Sequence, residues 1–405
     1  MNVPKLRFPN FNDKWSSIKL DELLEFNNGI NADKNSYGKG RKFINVLDIL
    51  NNEHIVYENI KGSVEVDAKT ENNNKVEYGD ILFLRSSETR EDVGKCSVYL
   101  DEKEYCLFGG FVIRGKKIAE YEPYFLKLNL ETPLIRHQIG SKSGGSTRFN
   151  VSQSILSSVE IKIPSINEQK KISKFMDLFN KKIQLQQQKI DLLQEQKKGF
   201  LQKMFPKAGE KQPQVRFAGF TDDWEQREFG EIITERREKT KIENEDTLLS
   251  SAIDGMYLNS ELFSHFRGAS NIGYLKIRKN DMILSAQNLH LGNCNINQRF
   301  EHGIISPAYK VYSLVNVDAA FMHAWIKKDS TKQFFEKATT EGASVCRKNI
   351  EWGTLYSQKI YIPIYSEQQK IGELFNVLDK RIQLQQQKLE LLQKQKKGFM
   401  QQMFI

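Results

Sequence analysis

The chain has 405 residues, 39% hydrophobic and 27% charged, a composition of a soluble globular protein with two or three domains and not of a disordered one. Its net charge of +9 invites a nucleic-acid reading, but residues 160–205 carry +5 of it, residues 359–404 carry +4, and the remainder is formally neutral. No apolar run reaches about 18 residues, so no membrane span is expected.

In chain order, PKLRFPNFNDKW (4–15) opens the sequence, and its aromatic residues are expected to pin the segment to a core. A Gly-rich stretch follows in which Tyr37, Lys39 and Arg41 are candidates for phosphate contact, since such contacts position without specifying. VEYGDILFLRSS (76–87) predicts a turn at Gly79, free to take positive φ, leading into an apolar strand. FGGFVIR (108–114) reads as another apolar strand, the stretch around 120–140 as helix, and GGSTRFNVS (144–152) as a loop.

IKIPSINEQKKI (161–172) then joins a short strand to a long helix, with Ser165 and Glu168 offering an S-x-x-E capping box. Ile172, Met176, Phe179, Ile183, Ile190, Leu193, Phe200 and Met204 fall at a and d positions of one heptad frame, interrupted by Gln186 and Lys197. A helix of about 40 residues spans roughly 60 Å at about 1.5 Å per residue. PKAGEKQ (206–212) is a polar linker.

The whole plan then repeats. PQVRFAGFTDDW (213–224) shares P-x-h-R-F-x-x-F-x-D-x-W with the first opening, and IRKNDMILSAQN (277–288) corresponds to 76–87 with Asn280 in place of Gly79. GNC (292–294) answers GKC (94–96), SPAYKVY (306–312) answers FGGFVIR, and ASVCRKNIE (343–351) answers 144–152, keeping an Arg two residues before an Asn but not the Gly144-Gly145 pair. IYIPIYSEQQKI (360–371) carries a second box at Ser366 and Gln369. Ile371, Phe375, Leu378, Ile382, Leu389, Leu392, Phe399 and Met403 repeat the seam, with Gln385 and Lys396 as matching interruptions. At an offset of 199, nineteen of the twenty-five positions in 181–205 and 380–404 are identical. Polar residues in a seam cost stability and fix register and partner choice, so two matched copies favour helices that pack on each other.

Catalytic constellations are missing from the sequence. There is no Pro-Pro of an N-P-P-F or D-P-P-Y methyltransferase loop, and the stretch Gly140–Thr147 lacks the lysine of a phosphate-binding loop. The six histidines form no H-E-x-x-H or Ser/His/Asp set. Cys96, Cys106, Cys294 and Cys346 make no C-x-x-C pair, and no His or Cys completes a metal set beside the first two. With the amino terminus lacking the regions of a secretory signal, the chain reads as cytoplasmic, with reduced thiols and neither cofactor nor metal.

Gly79-Asp80-Ile81-Leu82 with Asn280-Asp281-Met282-Ile283, the joints IPSINEQKKI and IPIYSEQQKI, and the duplicated helices together resemble the DNA-specificity (S) subunit of type I restriction–modification systems, over the whole chain. The resemblance implies an α+β fold with two target-recognition domains, each reading one half of a bipartite DNA sequence. It implies a helical spacer that recruits two modification (methyltransferase) subunits, with restriction (translocase and nuclease) subunits added. The expected limits are 1–163 and 213–362 for the recognition domains and 164–205 and 363–405 for the spacers. Pseudo-twofold-related halves would pair their long helices as an antiparallel coiled coil, although heptads alone also fit a parallel pair. A stand-alone bipartite DNA-binding regulator and a non-catalytic coiled-coil scaffold are the alternatives.

Arg suits guanine, Asn and Gln suit adenine, and Ser and Lys are versatile, so base-reading candidates cluster after the apolar strands. They are Arg85, Ser86, Ser87, Arg90 and Lys95 in the first half, and Ser285, Gln287, Asn288, His290 and Asn293 in the second. Lys142, Ser143, Ser146 and Arg148 form a further cluster, matched loosely by Ser344, Arg347 and Lys348.

Overall fold

The computed structural model describes residues 3–264, 270–344 and 347–405, without the side chains of 341–344 and 347. It forms two compact units, one of Met1–Leu185 with Lys388–Ile405 and one of Gln186–Gln387. Among the described residues no helix is long and apolar enough to cross a membrane.

Each unit is built on the same four-stranded antiparallel sheet. In the first the order is Leu24–Asn28, Val112–Lys117, Ile81–Leu84, Cys96–Val98; in the second it is Ile233–Arg236, Tyr309–Leu314, Met282–Ser285, Cys294–Ile296. The apolar runs after Gly79 and Asn280 are the buried third strands of these sheets. Gly79 and Asn280 take φ of 93° and 69°, which turns the chain into the strand. The aspartate that follows is buried and satisfies the turn: Asp80 accepts from the backbone N–H of Glu77 (3.0 Å) and Lys117 (2.9 Å). Asp281 accepts from Arg278 N–H (2.7 Å) and from the Arg236 guanidinium (2.9 Å). The Gly-Asp and Asn-Asp pairs are thus structural.

The strand before each long helix pairs with the strand after the opening segment: Glu160–Ile163 with Ser16–Lys19, and Lys359–Ile362 with Glu225–Glu228, both antiparallel. The arginine of each opening segment forks onto a fully buried glutamate in the first turn of the helix, Arg7 on Glu168 (2.7 and 2.7 Å) and Arg216 on Glu367 (2.7 and 2.9 Å). The next residue satisfies backbone at the joint. Gln169 donates to Pro164 O (2.9 Å) and accepts from Glu122 N–H (3.0 Å), and Gln368 does the same with Pro363 (2.8 Å) and Asp318 (2.8 Å). This corrects the capping boxes. Glu168 turns to Arg7 and not back to a cap, and the second helix begins at Tyr365, which places Ser366 inside it.

The long helices are Ile166–Lys203 and Tyr365–Met403. Within the second unit Gln186 meets Gln385, Lys197 meets Asp379 and Phe205 meets Phe375, so partners descend as the first helix ascends and the pair runs antiparallel. Within the first unit Phe175 and Phe179 both pack edge-on against Phe399 (5.0 and 5.4 Å between centroids). None of the sixteen seam residues is exposed. They divide, however: Ile172, Met176 and Met403 belong to the apolar core of the first unit's recognition domain, and Met204, Ile371, Phe375 and Leu378 to that of the second. The helix ends are therefore covered by a domain as well as by the other helix, because Phe404 packs on Trp15 and Phe125, and Phe205 on Trp224 and Phe321.

The seam's polar interruptions pair up. Gln186 donates to the Oε1 (2.9 Å) and backbone O (3.0 Å) of Gln385, its equivalent in the other copy. Lys197 bonds Asp379 at 2.5 Å. Asn180 stands where an aspartate would complete the matching pair, so Lys396 takes its carboxylate from the recognition domain, Glu53 at 3.2 Å.

Candidate nucleic-acid interface

Two clusters some sixty residues apart in sequence meet in the first unit. Ser86–Ser87 pairs antiparallel with Phe149–Asn150, and Val151 N–H donates to Arg85 O (3.0 Å). This short ladder carries Arg85 beside Lys142, at the end of helix Pro133–Lys142, and holds the Arg90 guanidinium over the Phe149 ring at 4.9 Å. The result is an open concavity of about 750 Å³ lined by Asn28, Arg85, Lys142, Gly144, Asn150, Ser152, Gln153 and neighbouring residues. Arg85 is half-buried and donates to Gly110 O (3.2 Å); Lys142 is exposed and donates to Ser158 Oγ (3.0 Å). Among the described residues no carboxylate lies within ion-pair distance of Arg85, Arg90, Lys142 or Arg148. Two cations, Arg85 and Lys142, thus line one concavity whose amides and hydroxyls can hydrogen-bond a base edge, the combination that duplex recognition uses.

The other candidates separate from this group. Lys39 pairs with Glu65 (2.5 Å), Arg41 with Glu104 (3.2 Å) and the Tyr105 ring, and Lys95 with Asp92 (2.5 Å), so each already has a neutralising partner. Tyr37 accepts from Ala32 N–H (3.2 Å) and packs on Phe43. None of these residues lines the concavity. Ser86 Oγ is buried without a partner among the described residues, Ser87 is half-buried, and Ser146 and Arg148 are exposed. Ser143 is buried and donates to Gly140 O (2.7 Å), closing its own helix end.

In the second unit two candidates are buried. Ser285 is buried and accepts from Asn288 N–H (3.2 Å), while Asn293 is buried in a network with Ser251 (3.1 Å to its Oγ). Both are hydrogen-bonded within the unit. Gln287 is exposed and Asn288 half-buried; His290 is half-buried, with both ring nitrogens unpartnered among the described residues. Lys348 pairs with Glu336 (3.1 Å) on the hairpin of Thr339–Ser344 and Arg347–Ile350. The side chains of Ser344 and Arg347 lie outside the described residues, as does Cys346.

Asn28, Asn150, Ser152 and Gln153 were not expected. Asn150 had a signal, since the Arg-x-Asn spacing repeats in the second half; Asn28 and Gln153 had none, because folding alone brings their segments together. Among the described residues no three His, Cys, Asp or Glu are grouped to hold a metal ion.

The family model for the type I restriction modification DNA specificity domain matches this chain twice, over residues 12–195 and 221–394. A protein of Methanocaldococcus jannaschii described as the MjaX type I restriction enzyme specificity subunit is 24% identical, over 98% of this chain and 95% of its own length. In fold, the chain is similar to the S subunit of a type I restriction–modification system from M. genitalium (TM-score 0.57, 15% identity, covering 100% of this chain and 99% of that one). It is also similar to a chain from a structure of type I complex assembly and conformational transition (TM-score 0.56, 12% identity, 98% of each chain). Duplicated sheets, duplicated helix joints and a family match over both halves place the chain in the family of type I restriction–modification DNA specificity subunits, which carry two recognition domains and no catalysis of their own.

Proposed function

We propose that this chain reads a bipartite, asymmetric DNA target, with the first half-site bound at the concavity of Arg85, Lys142 and Asn150 and the second at the loop of Gln287 and Asn288. The observation that carries the reading is the convergence of two distant polar clusters onto one open surface, with cations that have no carboxylate among the described residues. Exposed Arg90, Lys142 and Arg148 contact phosphates, and the amides and Arg85 meet base edges. Because the recognition domains carry no excess positive charge, partner subunits supply much of the phosphate neutralisation.

The partners are two modification subunits, with restriction subunits added, in the cytoplasm. The stoichiometry is supported by a second stripe on each helix. Leu178, Leu185 and Leu192 are exposed at intervals of seven, and so are Val377, Leu384 and Leu391 at the equivalent positions. Exposed leucines at heptad spacing are what a partner helix covers, and two matched stripes make two equivalent docking faces. The working limits are 1–163 and 213–362 for recognition, 206–212 for the linker, and 164–205 and 363–405 for docking; the strands that end at Ile163 and Ile362 support them.

Co-expression with modification subunits, followed by mapping of methylated positions in cellular DNA, tests the reading. A gapped motif with two different halves is expected, and its loss when this chain is omitted. Methylation that is unchanged without this chain would overturn it.

A further inference from the structure

We infer that Arg85 reads a guanine in the first half-site, and that the second recognition domain makes no such contact from the equivalent backbone position, which holds Ala286. The inference rests on the DNA-reading function proposed above and adds a base identity to it.

Backbone hydrogen bonds establish the equivalence. Leu84 N–H donates to Lys95 O (2.8 Å) and Arg85 N–H to Phe111 O (2.9 Å); Ser285 N–H donates to Asn293 O (3.1 Å) and Ala286 N–H to Ala308 O (3.2 Å). The strand registers agree as well, with Leu84 opposite Val112 and Ser285 opposite Tyr309. One frame therefore presents a guanidinium in the first unit and a methyl group in the second.

Two features distinguish Arg85 from the cations around it, and a third it shares with them. It is half-buried in the wall of the concavity, where Lys142, which also lines it, is exposed, as are Arg90 and Arg148. One nitrogen is tied to Gly110 O at 3.2 Å, which orients the fork before any ligand arrives. Its remaining donors have no carboxylate among the described residues and sit beside the amides of Asn28, Asn150 and Gln153. A fixed, planar, two-pronged donor matches the O6 and N7 of guanine in the major groove, the commonest specific side-chain contact to a base. Ala286 can touch only an apolar group such as the thymine methyl, and its exposed polar neighbour in sequence, Gln287, suits adenine.

The test maps the methylated motif directed by the full chain in complex with its modification subunits, for the parent, Arg85→Ala, Arg85→Gln and Ala286→Arg. The parent motif is expected to contain a guanine in one half that Arg85→Ala relaxes at that position alone, with roughly a tenfold or greater loss of discrimination. Arg85→Gln is expected to shift the same position toward adenine, and Ala286→Arg to add a guanine preference to the other half. Purification of each variant as an intact complex separates misfolding from altered reading. An unchanged motif with Arg85→Ala and Arg85→Gln, or a loss spread evenly over all sequences as a phosphate contact would give, overturns the guanine assignment alone. A parent complex that directs no gapped motif overturns the DNA-reading function itself.

Discussion

Glu53 shows how single residues tie a recognition domain to its helices. Its carboxylate accepts from the Tyr124 hydroxyl (2.6 Å) and Asn180 (3.1 Å) and lies 3.2 Å from Lys396 and 3.4 Å from Lys127. Burial alone would raise this carboxyl, but Lys127, Lys396 and Tyr124 outweigh it and hold the group at about 2. An unfolded glutamate ionises near about 4.3, so the fold favours the charged form. The resulting stability is complete above about pH 4.5 and is lost as the pH falls toward 2. Because 36% of the side chain stays open to solvent, Glu53→Gln should cost only about 1–2 kcal/mol at pH 7. Urea melts across pH should show that difference shrinking as the pH falls through about 2 and vanishing below it; a constant difference would mean that the charge is not what matters.

The buried Arg216–Glu367 fork is the stronger test at this scale. Arg216→Ala leaves a fully buried carboxylate without its partner and should destabilise the second unit by about 3–5 kcal/mol. Arg216→Met combined with Glu367→Leu should recover much of that loss in the same denaturant titration, since an apolar pair has no charge to desolvate.

At the scale of elements, the helix pair carries its specificity in its polar layers. Gln186→Leu with Gln385→Leu should raise the melting temperature by a few degrees, because two buried or half-buried amides leave a mainly apolar seam. The same change should let copies associate through their helices, which light scattering would detect as added mass. A variant that stays monodisperse would show that Lys197–Asp379 alone holds the register. The interruptions were legible in the sequence as interruptions, but their partners were not. Lys396 finds Glu53 from 343 positions away because Asn180 offers it no charge. The burial of Ser285 and Asn293 has a related reason: backbone pairing holds the strand's last residue in the sheet, and hydrogen bonds between distant loops turn Asn293 inward.

For the whole molecule, the paired stripes predict that each docking face can be lost separately. Leu185→Glu and Leu384→Glu alter side chains 65% and 61% exposed, so folding should be unaffected. Each is expected to remove one modification subunit, and the double variant both, as read by the mass of the purified complex. Retention of both subunits in the double variant would place docking elsewhere.

The sequence by itself determined the duplication, the heptad frame with its matched interruptions, and the turns into the third strand of each sheet. These are local or periodic: a helix repeats every 3.6 residues, a turn needs one residue tolerant of positive φ, and both are written in adjacent letters. Only the tertiary structure decided that the buried glutamates of the helix joints bind the arginines of the opening segments, and that Ser143 and Ser285 face inward. It alone brought Arg85, Lys142, Asn150 and Asn28 to one surface. The forks and the shared surface depend on pairings across about 60 to 160 positions, which are set by which backbone ladders close and not by any residue's own preference.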